Sequence, residues 1–139
     1  MIFVCEKIIP TEKQINQLYS LLKNRKHSIS HEKLPSSKIH KKFVLENPYV
    51  EWYLIYKKNH ILGSIYIQSD NSIGMDLKEP AKSDVIEAIS FIKDNHKPLF
   101  PIKSVRRGEF YINISPNNLN MIKILNELNK IEIQRSFLV

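Results

Sequence analysis

The chain has little cysteine, little glycine and no long apolar run. A single cysteine, Cys5, among 139 residues excludes an intrachain disulfide and a cysteine-built zinc cluster, and it sets the expectation of a reduced, cytoplasmic setting. No apolar stretch approaches the length needed to span a bilayer. The opening MIFVCEK lacks the basic-then-apolar pattern of a secretory leader, so no membrane association is expected. Three glycines, beside heavy use of Ile, Lys and Asn, read as the composition of an AT-rich genome. Repeats, low-complexity tracts and linkers are also missing. Residues 1–139 are therefore expected to form one domain, long enough to bury about two-thirds of the unfolded chain's surface.

Apolar residues make up 42% and charged residues 25%, ordinary proportions for a globular domain. The net charge is +7, from 21 Lys and Arg against 14 Asp and Glu. Much of the excess lies in Lys23 to Lys42 and around Lys103, Arg106 and Arg107. Such an excess either solvates the surface or attracts an anionic ligand, such as a phosphorylated cofactor or nucleotide sugar. No nucleic-acid partner is expected, because no recognition-helix motif or RNP-type aromatic strand accompanies the charges. No metal site is expected either. His27 and His31 stand four apart with Glu32 alongside, but they do not form H-E-x-x-H on a helix.

Residues 2–8 read as an opening strand. Thr11 then caps a helix, with Gln14 at capping-box spacing and Ile15, Leu18, Tyr19 and Leu22 on one face. Ser36 or Ser37 starts a second helix running to Glu46. Residues 51–58 and 61–68 form a hairpin through Asn59-His60, and Ser72 to Leu77 is a third strand of the meander. Ser83 is expected to cap a helix buried along Val85, Ile86, Ile89 and Ile92. A long loop from Lys97 to Glu109 leads to a strand over Phe110 to Ile114. Leu119, Ile122, Leu125 and Leu128 repeat at helical spacing, Met121 and Ile124 widen the apolar stripe, and Asn129 can take the left-handed conformation that ends a helix. Ile131 to Val139 returns to strand character.

The order is β-α-α-β-β-β-α-β-α-β. It predicts an α/β domain with a six- or seven-stranded mixed sheet covered by helices on both faces. Together with the strand–helix–strand ending FYINISPNNLNMIKILNELNKIEIQRSFLV, this order resembles the GCN5-related N-acetyltransferase (GNAT) fold across essentially the whole chain.

The resemblance implies acetyl-CoA, or another acyl-CoA, beside the strand Ser72 to Leu77, with Met75 and Leu77 on its binding edge. It implies the pyrophosphate at Lys78, Lys82 and Ser83, where a helix N-terminus favours an anion. The family's loop has Arg or Gln, two residues, Gly, one residue and Gly or Ala. This chain has KEPAKSDV from Lys78 to Val85, without glycine and with Glu79 and Asp84 acidic. Asn118 falls where members often place an Asn facing the cofactor; it equally fits a helix cap. The tyrosine that often follows seven residues later is Leu125 here.

Amine acylation needs a base to take the ammonium proton. Asp76 is the candidate, since strand alternation sets it and Gly74 opposite Ile73, Met75 and Leu77. Trp52, with Tyr49, would line a substrate pocket or close the end of the core. Arg106 and Arg107, beside Gly108 in a loop expected to flank the acceptor side of the cleft, would clamp a carboxylate or phosphate or merely solvate the loop. The implied function is acyl-CoA-dependent transfer of acetyl to a primary amine of a small molecule, with a nucleotide-linked amino sugar as the guess for the acceptor and a homodimer as a candidate assembly. The alternative is a GNAT-like module that has lost catalysis and binds an anionic ligand or partner.

Overall fold

Gln14 shows how local chemistry sets the first crossover. Its backbone N–H donates to Thr11 Oγ1, its Oε1 accepts from Ile9 and Thr11 N–H, and its Nε2 donates to the Lys7 carbonyl. The buried amide thus closes a capping box and fastens the strand end to the helix start. In the computed structural model, which describes residues 3–25 and 33–139, the elements are β1 (Phe3–Lys7), α1 (Glu12–Lys23), α2 (Ser37–Glu46), β2 (Glu51–Lys57), β3 (His60–Ile67), β4 (Ser72–Leu77), α3 (Lys82–Asn95), β5 (Tyr111–Ile112) and α4 (Leu119–Glu127). The His27–His31–Glu32 grouping lies outside the described residues. Among the described residues no helix is long and apolar enough to cross a membrane.

The five strands form one mixed sheet in the order β1-β2-β3-β4-β5. The first four are antiparallel neighbours, and β5 pairs parallel to β4. Lys58 and Asn59, at φ 52° and 65°, make the two-residue turn between β2 and β3. Positive φ at both positions matches the twist of the strands.

Side-chain alternation divides the core in two. Tyr53, Ile55, Ile65, Ile67, Ile73 and Met75 pack with Val85, Ala88 and Ile92 of α3 and with Met121 and Ile124 of α4. On the other face, Trp52 and Leu54 pack with Ile15, Leu18 and Leu21 of α1 and Val44 of α2. Each face carries its own helix pair, so the α/β layering expected from element order is present.

Four expectations are corrected. Residues 131–139 form no strand; they are exposed, with Ile131 85% and Phe137 82% accessible. Among the described residues the sheet therefore has five strands, since Ile131 to Val139 meets no strand edge. Alternating apolar residues form a strand only where a neighbouring edge accepts their backbone groups. Ser83 does not cap α3. Ala81 takes that position, and Asp84 reaches back to accept from the Ala81 N–H at 2.8 Å. Leu119, expected on the apolar stripe of α4, is exposed, while Met121 and Ile124 are buried and Leu125 and Leu128 pack partly buried against the same core.

The end of α4 follows the sequence. Lys130 N–H donates to Leu125 O and Asn129 N–H to Asn126 O, with Asn129 at φ 59°. This is a Schellman ending built on Asn in place of Gly.

Candidate functional site

The pairing of β4 with β5 stops early. Ser72 faces Tyr111 and Ile73 faces Ile112, and no pair follows. The rest of β4, Gly74 to Leu77, pairs only with β3. Gln68 N–H donates to Ser72 O, and Lys78 N–H donates to Leu62 O, so the even-numbered residues direct their backbone groups to β3. Alternation turns the amides and carbonyls of Met75 and Leu77 to the parted side. Their side chains are committed to the α3–α4 core, so only their backbone faces this gap.

The chain leaves β4 through Lys78, Glu79 and Pro80 into the first turn of α3. Lys82 and Ser83 open the helix, and their N–H groups have no acceptor within it. Glu79 takes φ 38°, so the turn reaches left-handed backbone without a glycine. The Asp84 carboxylate is buried, held by the Ala81 N–H and by Lys57 Nζ at 2.7 Å. It is neutralised inside the fold and does not oppose an anion at the helix end. Asn120 Nδ2 donates to the Pro80 carbonyl at 3.3 Å and braces the turn from α4. Asn118, four residues from Ile122 along the same helix start, caps α4 by accepting from Met121 N–H. A parted strand edge leading to a helix N-terminus flanked by Lys78 and Lys82 fits an extended ligand with an anionic end.

On the opposite face of β4, Gly74 and Asp76 point toward α1 and α2. A Cβ at Gly74 would collide with the Tyr66 ring, so the glycine is what lets that ring lie across the strand. Tyr66 stacks on Tyr49 at 4.0 Å with 10° between planes. Tyr49 meets Trp52 edge-on at 4.9 Å, and Phe43 packs against both. Trp52 is buried in the α1–α2 core, and its Nε1 has no hydrogen-bond acceptor among the described residues.

Asp76 Oδ2 sits 3.3 Å from Arg25 Nε, with both side chains about one-quarter exposed. Burial pushes the Asp76 carboxyl above its usual range, while Arg25 and Lys78 pull it back. Burial also pushes the Tyr49 phenol up, Tyr66 adds to this, and Arg25 opposes it. Tyr49 therefore keeps its proton, and Asp76 is the group here suited to accept one. Arg25 and Gly74 carry no site signal in the sequence, and Tyr66 reads there as a proton donor or as cross-strand packing. A lone Arg after a helix and a glycine in a strand carry no motif, and only the fold brings them together.

Arg106 and Arg107 lie elsewhere. Their loop enters β5 at Tyr111, beside Ser72, where the strands are paired. Parallel strands begin at the same end, so a loop entering β5 stands at the closed end of the pair, about 16–20 Å from Leu77 at strand rise. The expected position beside the parting of β4 and β5 is thereby corrected. Arg106 is also engaged: Nε donates to Phe100 O at 2.9 Å and Nη1 to Ser69 O at 3.2 Å. Arg107 pairs with Glu109 at 3.4 Å. The loop is anchored by Asn71, fully buried at φ 70°. Its Nδ2 donates to the Leu99 and Arg107 carbonyls, and its Oδ1 accepts from Leu99 N–H.

Four antiparallel strands, a parallel fifth that parts from the fourth, and a helix starting beside the parting define a GNAT-like fold. Solved structures share it at low sequence identity. One, titled as a possible acetyltransferase from Clostridium difficile 630, has a TM-score of 0.55 and 11% identity, over 100% of this chain and 97% of that one. Another, the dodecameric spermidine N-acetyltransferase from Vibrio cholerae, has a TM-score of 0.57 and 13% identity, over 95% of this chain and 81% of that one. No family model matches the chain, and no curated protein matches it significantly by sequence.

Proposed function

We propose that the protein is an acyl-CoA-dependent N-acyltransferase that transfers acetyl to a primary amine of a small molecule. The observation that carries this reading is the early end of the β4–β5 pairing. It opens the backbone edge of Met75 and Leu77 on one side of the strand whose other face presents Asp76 beside an aromatic wall. The neighbouring folds are acetyltransferases, which supports the same chemistry. When bound, acetyl-CoA supplies an activated acyl group, so that the amine nitrogen bonds to the thioester carbonyl carbon as the carbon–sulfur bond breaks and the thiolate leaves.

The chain's own residues supply the rest. Met75 and Leu77 offer backbone groups to the pantetheine arm, and the N–H groups of Lys82 and Ser83, with the Lys78 and Lys82 ammonium groups, hold the pyrophosphate. Asp76 takes the acceptor's ammonium proton and later releases it to solvent. Tyr49 and Tyr66 wall the acceptor, and Trp52 backs Tyr49. Asn118 is spent on its helix cap, which leaves Asn120 to brace the phosphate turn. Leu125 packs against the α3–α4 core and brings no phenol to the leaving thiolate, so water protonates it.

Acetyl-CoA titrated calorimetrically into the protein is expected to bind. No binding at millimolar cofactor would remove the acyltransferase reading and leave the anion-binding module, which the absence of loop glycines and of a tyrosine at Leu125 favours. Asp76→Asn is expected to lower kcat by 10²–10⁴-fold while leaving cofactor affinity unchanged. The wild-type pH–rate profile should have its acid limb above the usual Asp range, because burial raises Asp76. A homodimer and a cytoplasmic setting belong to the same proposal. The exposed apolar residues of 131–139 give a second copy a surface to cover, and sedimentation velocity reads that directly.

A further inference from the structure

The acceptor's chemistry follows from the partner Asp76 already has. A base that takes a proton from an ammonium must first be reached by it, and here Arg25 occupies Asp76 Oδ2 at 3.3 Å. Among the described residues two cations, Arg25 and Lys78, act on this one carboxylate, which is not the negative field that would gather a polycation. The Arg25 charge also opposes the rise of the Tyr49 phenol. An ammonium that displaces Arg25 strands a half-buried guanidinium. That loss is offset only if the incoming molecule brings an anion of its own.

We propose that the acceptor is a zwitterion, an amine carrying a carboxylate or phosphate close to its nitrogen. Its ammonium replaces Arg25 at Asp76, and its anion takes the displaced guanidinium. The inference rests on the acyltransferase reading for the reaction, but the recognition it describes can be measured without cofactor. Because Arg25 and Asp76 are in contact, the two substrate charges must be near neighbours. The stacked Tyr49–Tyr66 pair, backed by the buried Trp52, offers an apolar face to the rest of the molecule. A simple polyamine meets Asp76 only by leaving Arg25 unpaired and facing its own repulsion from Arg25 and Lys78. The site is therefore unlike one built for spermidine, although a protein of the same fold acts on it.

Binding of four probes to the cofactor-free protein tests this by calorimetry: L-phenylalanine, O-phosphoethanolamine, 2-phenylethylamine and spermidine. At least one zwitterion should bind about tenfold or more tighter than either simple amine, the scale of one charge-assisted hydrogen-bonded pair. Preference between phenylalanine and phosphoethanolamine distinguishes carboxylate from phosphate. Arg25→Gln should abolish the advantage, Arg25→Lys should retain part of it, and Asp76→Asn should weaken all amines. Thermal melts verify that each variant folds. Equal or tighter binding of 2-phenylethylamine or spermidine overturns the proposal, as does an advantage that survives Arg25→Gln, or no binding of any probe. Selectivity for zwitterions in a protein that fails to bind acetyl-CoA would keep this inference and sink the acyltransferase reading.

Discussion

Gly74→Ala puts the smallest possible perturbation under the stacked Tyr66 and Tyr49 rings. The added methyl would fall inside the Tyr66 ring. A long flexible side chain could move aside, but Tyr66 is stacked on Tyr49 at 4.0 Å, and Tyr49 is held edge-on by Trp52 at 4.9 Å. The ring therefore yields only by losing its stack or shifting β4. Overpacking of this kind costs about 1–3 kcal/mol, and a lost aromatic pair adds about 0.5–1.5 kcal/mol, so about 2–3 kcal/mol is expected. With an m-value of about 2 kcal/mol/M, the urea midpoint falls by about 1–1.5 M. Trp52 is the chain's one tryptophan and reports the transition by fluorescence. Tyr66→Ala clears the space, so in that background Gly74→Ala should cost nothing, giving a coupling of about 2 kcal/mol. Equal cost in both backgrounds, or none in the wild type, would refute this account of the wall.

Asn71→Ala removes three hydrogen bonds from a fully buried side chain that pins the 97–109 loop. It should cost about 3 kcal/mol and speed amide exchange at Leu99; a neutral effect in urea melts would contradict the anchoring role. His40 is buried with Nε2 3.2 Å from the Ile15 carbonyl, and burial lowers its pKa below 6.5. A depressed histidine stabilises the fold above the unfolded-state value, and that contribution is lost as pH falls from about 6.5 through the folded-state value. The urea midpoint should accordingly drop over that window, and His40→Gln should flatten the slope; parallel slopes would sink the assignment. Cys5 is pushed up to about 11, chiefly by burial and then by Glu87. Iodoacetamide at pH 8 should alkylate it roughly a hundredfold slower than an unhindered thiol, and unfolding in urea should restore the ordinary rate.

Local chemistry was readable residue by residue. Thr11 with Gln14 closes a capping box wherever the helix ends up. Asn59 forms its turn, Asn129 ends α4, and Ser72–Leu77 alternates as a strand must, because each effect acts within a few residues of its cause. Element order carried the GNAT-like layering for the same reason: strands joined by short turns pair with their neighbours, and a crossover with a helix makes a parallel pair. The side of β4 on which Asp76 stands also follows from period-two alternation alone.

Tertiary structure decided what depends on partners distant in sequence. Ile131 to Val139 has strand residues but no edge to pair with, so pattern alone overcalled it. The placement of Arg106 and Arg107 turned on which end of a parallel pair the loop enters, a property of direction rather than composition. Asp84 looked hostile to phosphate until the fold buried it against Lys57, 27 positions earlier. Arg25 lies 51 residues from Asp76, and Gly74 matters only because Tyr66 crosses it from the next strand. Charge pairs and ring contacts of this kind have no local periodicity. They exist only once the sheet brings the residues within a few ångströms, where desolvation and Coulomb attraction give them their chemistry.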